Sequence, residues 1–137
     1  MEIYFENEYV TVRYIEELNA VSQVWKEFKV ISFEDYKQVF NKSQNLQRLK
    51  KAENFISDTR KQGIINPEQR KWLINESLPE AVSISMKRIA VVAEMNVFKR
   101  YYLNTLMSSI NKLKIPFKIF NDNDKAKQWI LNLDNKL

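Results

Sequence analysis

The chain has 137 residues, 45% of them hydrophobic and 12% aromatic, with 22 Lys and Arg against 17 Asp and Glu for a net charge of +5. That is the length of one domain with enough apolar mass to bury a core, and it excludes a largely disordered chain. No cysteine and no histidine are present, so disulfides, thiol chemistry, the commonest metal ligand and the commonest base at neutral pH are all absent, and only carboxylates, lysines, tyrosines and hydroxyls remain for catalysis.

In chain order, Met1 to Phe5 reads as a short strand, "ENE" at 6–8 as a polar turn, and "YVTVRYI" at 9–15 as a second strand that forms a hairpin with the first. "AVSQVWKEF" at 20–28 alternates, with Val21, Gln23, Trp25 and Glu27 on one side and Ser22, Val24, Lys26 and Phe28 on the other, which predicts a third strand. Residues 32–52 predict a helix. Ser32 is the cap, with Asp35 three residues on. Phe33, Tyr36, Val39, Phe40, Leu46 and Leu49 recur at helical spacing, and Lys50 and Lys51 suit the negative end of the helix dipole.

"NFISDTRKQG" at 54–63 follows: a strand over 54–58 that runs into polar residues and then Gly63, the only glycine of the chain. Residues 66–82 predict the next helix, with Asn66 as cap, Pro67 in its first position, Trp72 and Leu73 facing inward, and Pro79 ending or kinking it. "KRIAVVAE" at 87–94 is the strongest strand. Its apolar run Ile89 to Ala93 predicts a central strand covered on both faces, next to 54–58 and parallel to it. Residues 97–112 predict a helix carrying Phe98, Tyr101, Tyr102, Leu106 and Ile110. Pro116 opens the strand "PFKIF". "NDNDKAKQWILNL" starts the last helix, with Asn121 or Asn123 as cap and Trp129, Ile130 and Leu133 buried.

The order β-β-β-α-β-α-β-α-β-α predicts a single α/β domain over 1–137. Its sheet is mixed, with antiparallel N-terminal strands followed by a βαβαβα run, and about four helices pack on it. No basic segment precedes an apolar run, so no signal peptide is expected. No apolar stretch approaches the roughly 20 residues of a membrane span. The expectation is a soluble, cytoplasmic chain.

Trp25, "SFEDY" at 32–36, "NFISDTRKQG" at 54–63, "PEQRKWL" at 67–73, "KRIAVV" at 87–92 and "FKIFNDNDKAKQWI" at 117–130 together resemble the small bacterial STAS-type proteins related to anti-sigma-factor antagonists. The resemblance covers nearly the whole chain, although each motif is short and mostly structural. It implies a STAS-like (sporulation anti-sigma-factor-antagonist-like) mixed sheet with helices packed on it. It also implies a non-enzymatic role in protein–protein interaction or regulatory signalling, with no cofactor. In anti-sigma-factor antagonists the strand matching 54–58 leads to an Asp-x-Ser-type loop whose serine is phosphorylated. Here Asp58 matches the aspartate, but Thr59 follows it, and Lys61 and Gln62 stand where the serine would be sought. Thr59 is therefore not expected to be an efficient phosphoacceptor.

Ligands of open α/β sheets bind outside the carboxyl ends of the strands. Asp58, Thr59, Arg60, Glu94, Asn96 and Asn121 are placed there and form the candidate ligand or partner surface. The structural reading of the same residues pairs Asp58 with Arg60 or a nearby lysine and leaves Asn121 as a cap; it outweighs the functional one. A Mg²⁺ site from Asp58, Glu94 and Asp122 is the metal alternative. The three tryptophans are expected in the core. Helix 97–112 carries more apolar surface than one stripe uses, so Tyr101, Tyr102, Leu103 and Met107 are the candidate surface of a homodimer. Three readings follow: an interaction module that binds itself or a bacterial regulatory protein, a small-ligand-binding or metal-assisted enzyme at the pocket around Asp58, and a weak nucleic-acid-binding protein driven by the positive charge. Nucleic acid is the least favoured, because the lysines are scattered over helical segments. A deep pocket converging on Asp58 favours the second reading, a flat apolar patch on one helix pair the first, and a continuous basic stripe interleaved with exposed aromatics the third.

Overall fold

The computed structural model describes residues 2–94 and 96–135, and the side chains of these except 97–103 and 133–135. One six-stranded sheet runs through the fold, its strands side by side in chain order: β1 (Ile3–Glu6), β2 (Val10–Ile15), β3 (Ala20–Trp25), β4 (Asn54–Asp58), β5 (Arg88–Val92) and β6 (Phe117–Phe120). β1–β2 and β2–β3 pair antiparallel, and β3–β4, β4–β5 and β5–β6 pair parallel. The mixed sheet, its antiparallel start and the parallel pairing of 54–58 with the buried run 89–93 all match the expectation.

The parallel strands are joined by α1 (Phe33–Lys50), by α2 (Pro67–Trp72) and α3 (Leu78–Ile84) in series, and by α4 (Val97–Ile110). Strands in sequential order joined by crossovers of one hand put every connection on one face. Accordingly Tyr36 and Phe40 of α1, Leu73, Leu78, and Leu106 and Ile110 of α4 share a core with Val21, Trp25, Phe55, Ile89 and Val91 of the strands. The opposite face is left to α5 (Asn123–Asn135), which is no crossover; its Ala126 and Ile130 pack on Ile56, Ala90 and Val92.

Several local expectations are corrected. The third strand ends at Trp25 and not at 28, because Trp25 pairs with Val10, the first residue of β2. Ser32 caps α1 as expected, its Oγ accepting from the Asp35 N–H at 3.1 Å. Leu49, however, is 67% exposed. The buried stripe passes instead through Ser43, Gln44 and Gln47; the two glutamines spend their amides on the neighbouring helix. Gln44 Nε2 donates to the Ser77 carbonyl at 2.9 Å and Gln47 Nε2 to that of Ala81 at 2.8 Å. The helix expected to stop or kink at Pro79 continues through it. A π-helical turn over Leu73–Ser77 widens the path, with the Leu78 N–H donating five residues back to Leu73, and Pro79 falls in the first turn of α3, where its missing N–H costs little. The cap of α5 is Asp122, not Asn121 or Asn123: its Oδ1 accepts from the N–H groups of Asp124 at 2.7 Å and Lys125 at 3.3 Å, and a carboxylate suits the positive end of the helix. Trp129 is half-buried against Phe120, and Leu133 lies outside the described side chains. Among the described residues no helix is long and apolar enough to cross a membrane.

Candidate functional site

Between the crossover helices and the sheet lies a cavity of about 780 Å³. Its floor follows from strand alternation, which sends every second side chain to one face. Trp25 comes from β3, Phe55 and Ser57 from β4, and Ile89 and Val91 from β5. Its roof is helical: Tyr36 and Phe40 from α1, Leu73 and Leu78 at the two ends of the π turn, and Leu106 and Ile110 from α4.

Polar groups in the floor are already satisfied. Trp25 Nε1–H donates to Gln23 Oε1 at 3.1 Å and to Ser57 Oγ at 3.2 Å. Gln23 Nε2 donates to Ser43 Oγ at 2.8 Å, and Ser43 Oγ passes its own proton to the Val39 carbonyl at 2.8 Å. Buried polar groups tied together in this way fix side-chain orientation, so the indole edge of the cavity is rigid.

Packing requires the only glycine of the chain, Gly63, at its position. A Cβ on it would lie 2.0 Å from the Phe28 carbonyl oxygen and 2.8 Å from that of Lys29. The loop after β4 therefore presses backbone to backbone on the segment after β3. The Ile64 N–H donates to the Lys29 carbonyl at 3.0 Å, Val30 and Ile64 form a parallel bridge, and the buried Gln69 donates to the Ile31 carbonyl at 2.7 Å. Asn66 and Gln69 complete a full capping box, each side chain bonded to the other's backbone N–H at 2.8 and 2.9 Å. These two clamped segments form the mouth. Val30 and Ile64 are each 68% exposed there. Lys29 is exposed and Arg70 half-buried at the same wall, and no carboxylate lines the cavity among the described residues.

The polar residues expected at the strand ends divide between two faces. Asp58 alternates with Ile56 and so points to the α5 face. There it is held by Arg60 in a two-pronged pair, Nε to Oδ1 at 3.0 Å and Nη2 to Oδ2 at 2.7 Å. Those hydrogen bonds, with the nearby charges of Asp58, Asp122 and Glu94, keep the Arg60 guanidinium protonated beyond its ordinary range. Glu94 and Asn121 are exposed. Asp58, Glu94 and Asp122 belong to no group able to hold a metal among the described residues. Thr59 and Asn96 turn instead to the cavity and line it. Thr59 is tied to the β5 end, its Oγ1 donating to the Val92 carbonyl at 2.9 Å and its N–H to the same oxygen at 2.7 Å. Of the expected dimer surface, Met107 is half-buried, and Tyr101, Tyr102 and Leu103 lie outside the described side chains.

Sequence reasoning placed the pocket at Asp58 and missed the cavity one residue away on the opposite face. Small side chains at floor positions, Ser57 and Ala93, together with the lone glycine, were the signal that could have found it.

Fold and cavity define an α/β domain with one mixed sheet and a large apolar space beneath its crossover helices. The chain belongs to the family described as Domain of unknown function (DUF7793), whose model matches residues 14–134 and so spans every residue that lines the cavity. No curated protein and no solved structure matches it.

Proposed function

We propose that this chain is a non-enzymatic binding module whose cavity holds a small, mainly apolar molecule. The observation that carries the reading is the cavity itself. At about 780 Å³ it falls within the roughly 300–1,000 Å³ of pockets that bury small ligands, and an apolar lining with a few polar groups is their usual make-up. A deep pocket is the feature that separates ligand binding from a flat protein-docking surface. Recognition is favoured over reaction because the two aliphatic hydroxyls of the lining are committed, Ser57 to the Gln23–Trp25 network and Thr59 to the Val92 carbonyl. The chain also has no histidine or cysteine to activate a nucleophile.

The STAS-like resemblance supports the same kind of role, a domain that binds rather than reacts, and a bacterial regulatory protein is the partner it suggests. Self-association through 97–112 is the companion reading, supported by the aromatic surplus of that helix; sedimentation equilibrium at micromolar concentration would then give twice 16.4 kDa.

Thermal unfolding of the full chain with a panel of apolar small molecules tests the cavity reading. A ligand at 100 times its Kd stabilises the native state by about 2.7 kcal/mol, and a rise in Tm that saturates with concentration is the expected result. A panel of varied shape and charge that leaves Tm unmoved would sink it.

A further inference from the structure

The cavity's shape and charge narrow its ligand class, an inference that rests on the binding reading above. Its floor runs along β5 from Ile89 to Ala93, four residue steps of about 3.3 Å, or roughly 13 Å. Ile89 pairs with Phe117, and both line the end away from the mouth. The other end is the mouth, where lining residues become exposed: Lys29, Val30, Ile64 and Asn96. The space is therefore long enough along β5 for an extended tail, apolar inside and open at the mouth.

Charge is sorted across the sheet. On the cavity side the charged lining residues among those described are Lys29 and Arg70, both cations. Arg70 follows Gln69, whose side chain is tied to Ile31 beside the mouth. The carboxylates after β4, β5 and β6, Asp58, Glu94 and Asp122, are instead gathered about Arg60, with Asp58 on the α5 face. Among the described residues an anionic group at the mouth thus meets two positive side chains and no lining carboxylate, while Val30 and Ile64 offer apolar surface to the first atoms of a tail.

We propose that the cavity binds a single-chain amphiphile with an anionic head, a long-chain carboxylate, its tail lying along β5 toward Ile110 and Phe117 and its head at the mouth beside Lys29 and Arg70. Binding is non-covalent, and no bond is made or broken.

The test titrates the full chain with three amphiphiles of one tail and different heads, dodecanoate, dodecanol and dodecylamine, each below its micelle concentration, by isothermal calorimetry. Dodecanoate is expected to bind one molecule per chain, about tenfold or more tighter than dodecanol, as a charge-assisted head contact would give. Dodecylamine should bind weakest. The double variant Lys29→Glu, Arg70→Glu should lose about tenfold or more for dodecanoate and keep dodecanol binding. Val91→Phe, which fills the floor, should abolish binding of all three while the far-UV circular dichroism is unchanged. If that variant does not fold, Leu106→Trp from the roof serves the same purpose. Dodecanol binding as tightly as dodecanoate would overturn the anionic-head inference and leave the binding reading standing. Failure of all three, with no stabilisation by any molecule of the wider panel, would overturn both. Dodecanoate binding that survives both filling variants in folded protein would place it outside the cavity and overturn the inference.

Discussion

Replacing Gly63 with alanine gives a test in which the sign of the effect is decided by one contact. The backbone of Gly63 has no positive φ, so alanine is allowed by torsion. In open space the change would stabilise by about 0.4–1 kcal/mol through the unfolded chain. Here the new methyl would lie 2.0 Å from the Phe28 carbonyl oxygen and 2.8 Å from that of Lys29. Those are backbone atoms, which cannot rotate away, so the loop after β4 must back off. Forced overpacking costs about 1–3 kcal/mol, and separation of the Ile64 N–H from the Lys29 carbonyl adds about 0.5–1.5 kcal/mol. The net expectation is a loss of about 1–4 kcal/mol, read by urea unfolding at unchanged m-value, or a fall in Tm of roughly 4 °C for each kcal/mol at this chain length. Lys61→Ala, exposed in the same loop, is the control and should stay within about 0.5 kcal/mol. A Gly63→Ala protein as stable as the wild type, or more so, would refute the close approach of the two mouth segments and with it the geometry of the cavity entrance.

Three further outcomes follow from named contacts. Asn66→Ala removes the side chain that accepts from the Gln69 N–H and should cost about 1 kcal/mol in urea unfolding. Trp25→Phe keeps a ring in the floor but deletes the donor shared by Gln23 and Ser57, so it should cost about 1–3 kcal/mol. Hydrogen bonds from Lys26 and Thr11 hold the Glu6 carboxyl below its ordinary value of 4.5. Its contribution is then fully present above that value and fades as pH falls through the lowered one. The difference in urea midpoint between wild type and Glu6→Gln should accordingly be visible at neutral pH and vanish in strong acid.

The elements were legible where one physical signal dominated. Ile89 to Ala93 could be assigned because a short, β-branched, continuously apolar run suits a strand covered on both sides, and helix caps at Ser32 and Asn66 because side-chain oxygens serve the local backbone. Legibility failed where long-range contacts took over. Gln44 and Gln47 are not among the residues whose spacing marks the core, yet they are buried because the helix across from them presents carbonyls. Pro79 read as a stop or a kink, but the π turn before it moved it to a position that tolerates proline. At the candidate site, the strand ends were located correctly, but which face each side chain takes depends on alternation counted from the core. Asp58 and Ser57 are neighbours in sequence and lie on opposite sides of the sheet.

The cavity itself follows from strand order. Parallel strands sit about 4.8 Å apart, so β3 to β6 span roughly 14 Å, whereas helices packed side by side need about 8–10 Å each. Three crossovers on one face therefore cannot all lie flat on the strands they join. The outer two have room to spread: α1 settles on β2 and β3, and α4 on β6. The middle connection has none, and it packs mainly on its neighbours, α3 on α1 and the π turn on α4. It is lifted off β4 and β5, whose side chains at Ser57, Val91 and Ala93 are too small to reach it, and Leu73 and Leu78 face the floor across the gap. The space is thus a consequence of topology supported by small floor residues and not of any one missing side chain. That is why a single larger residue at position 91 is expected to occupy the space without dismantling the sheet around it.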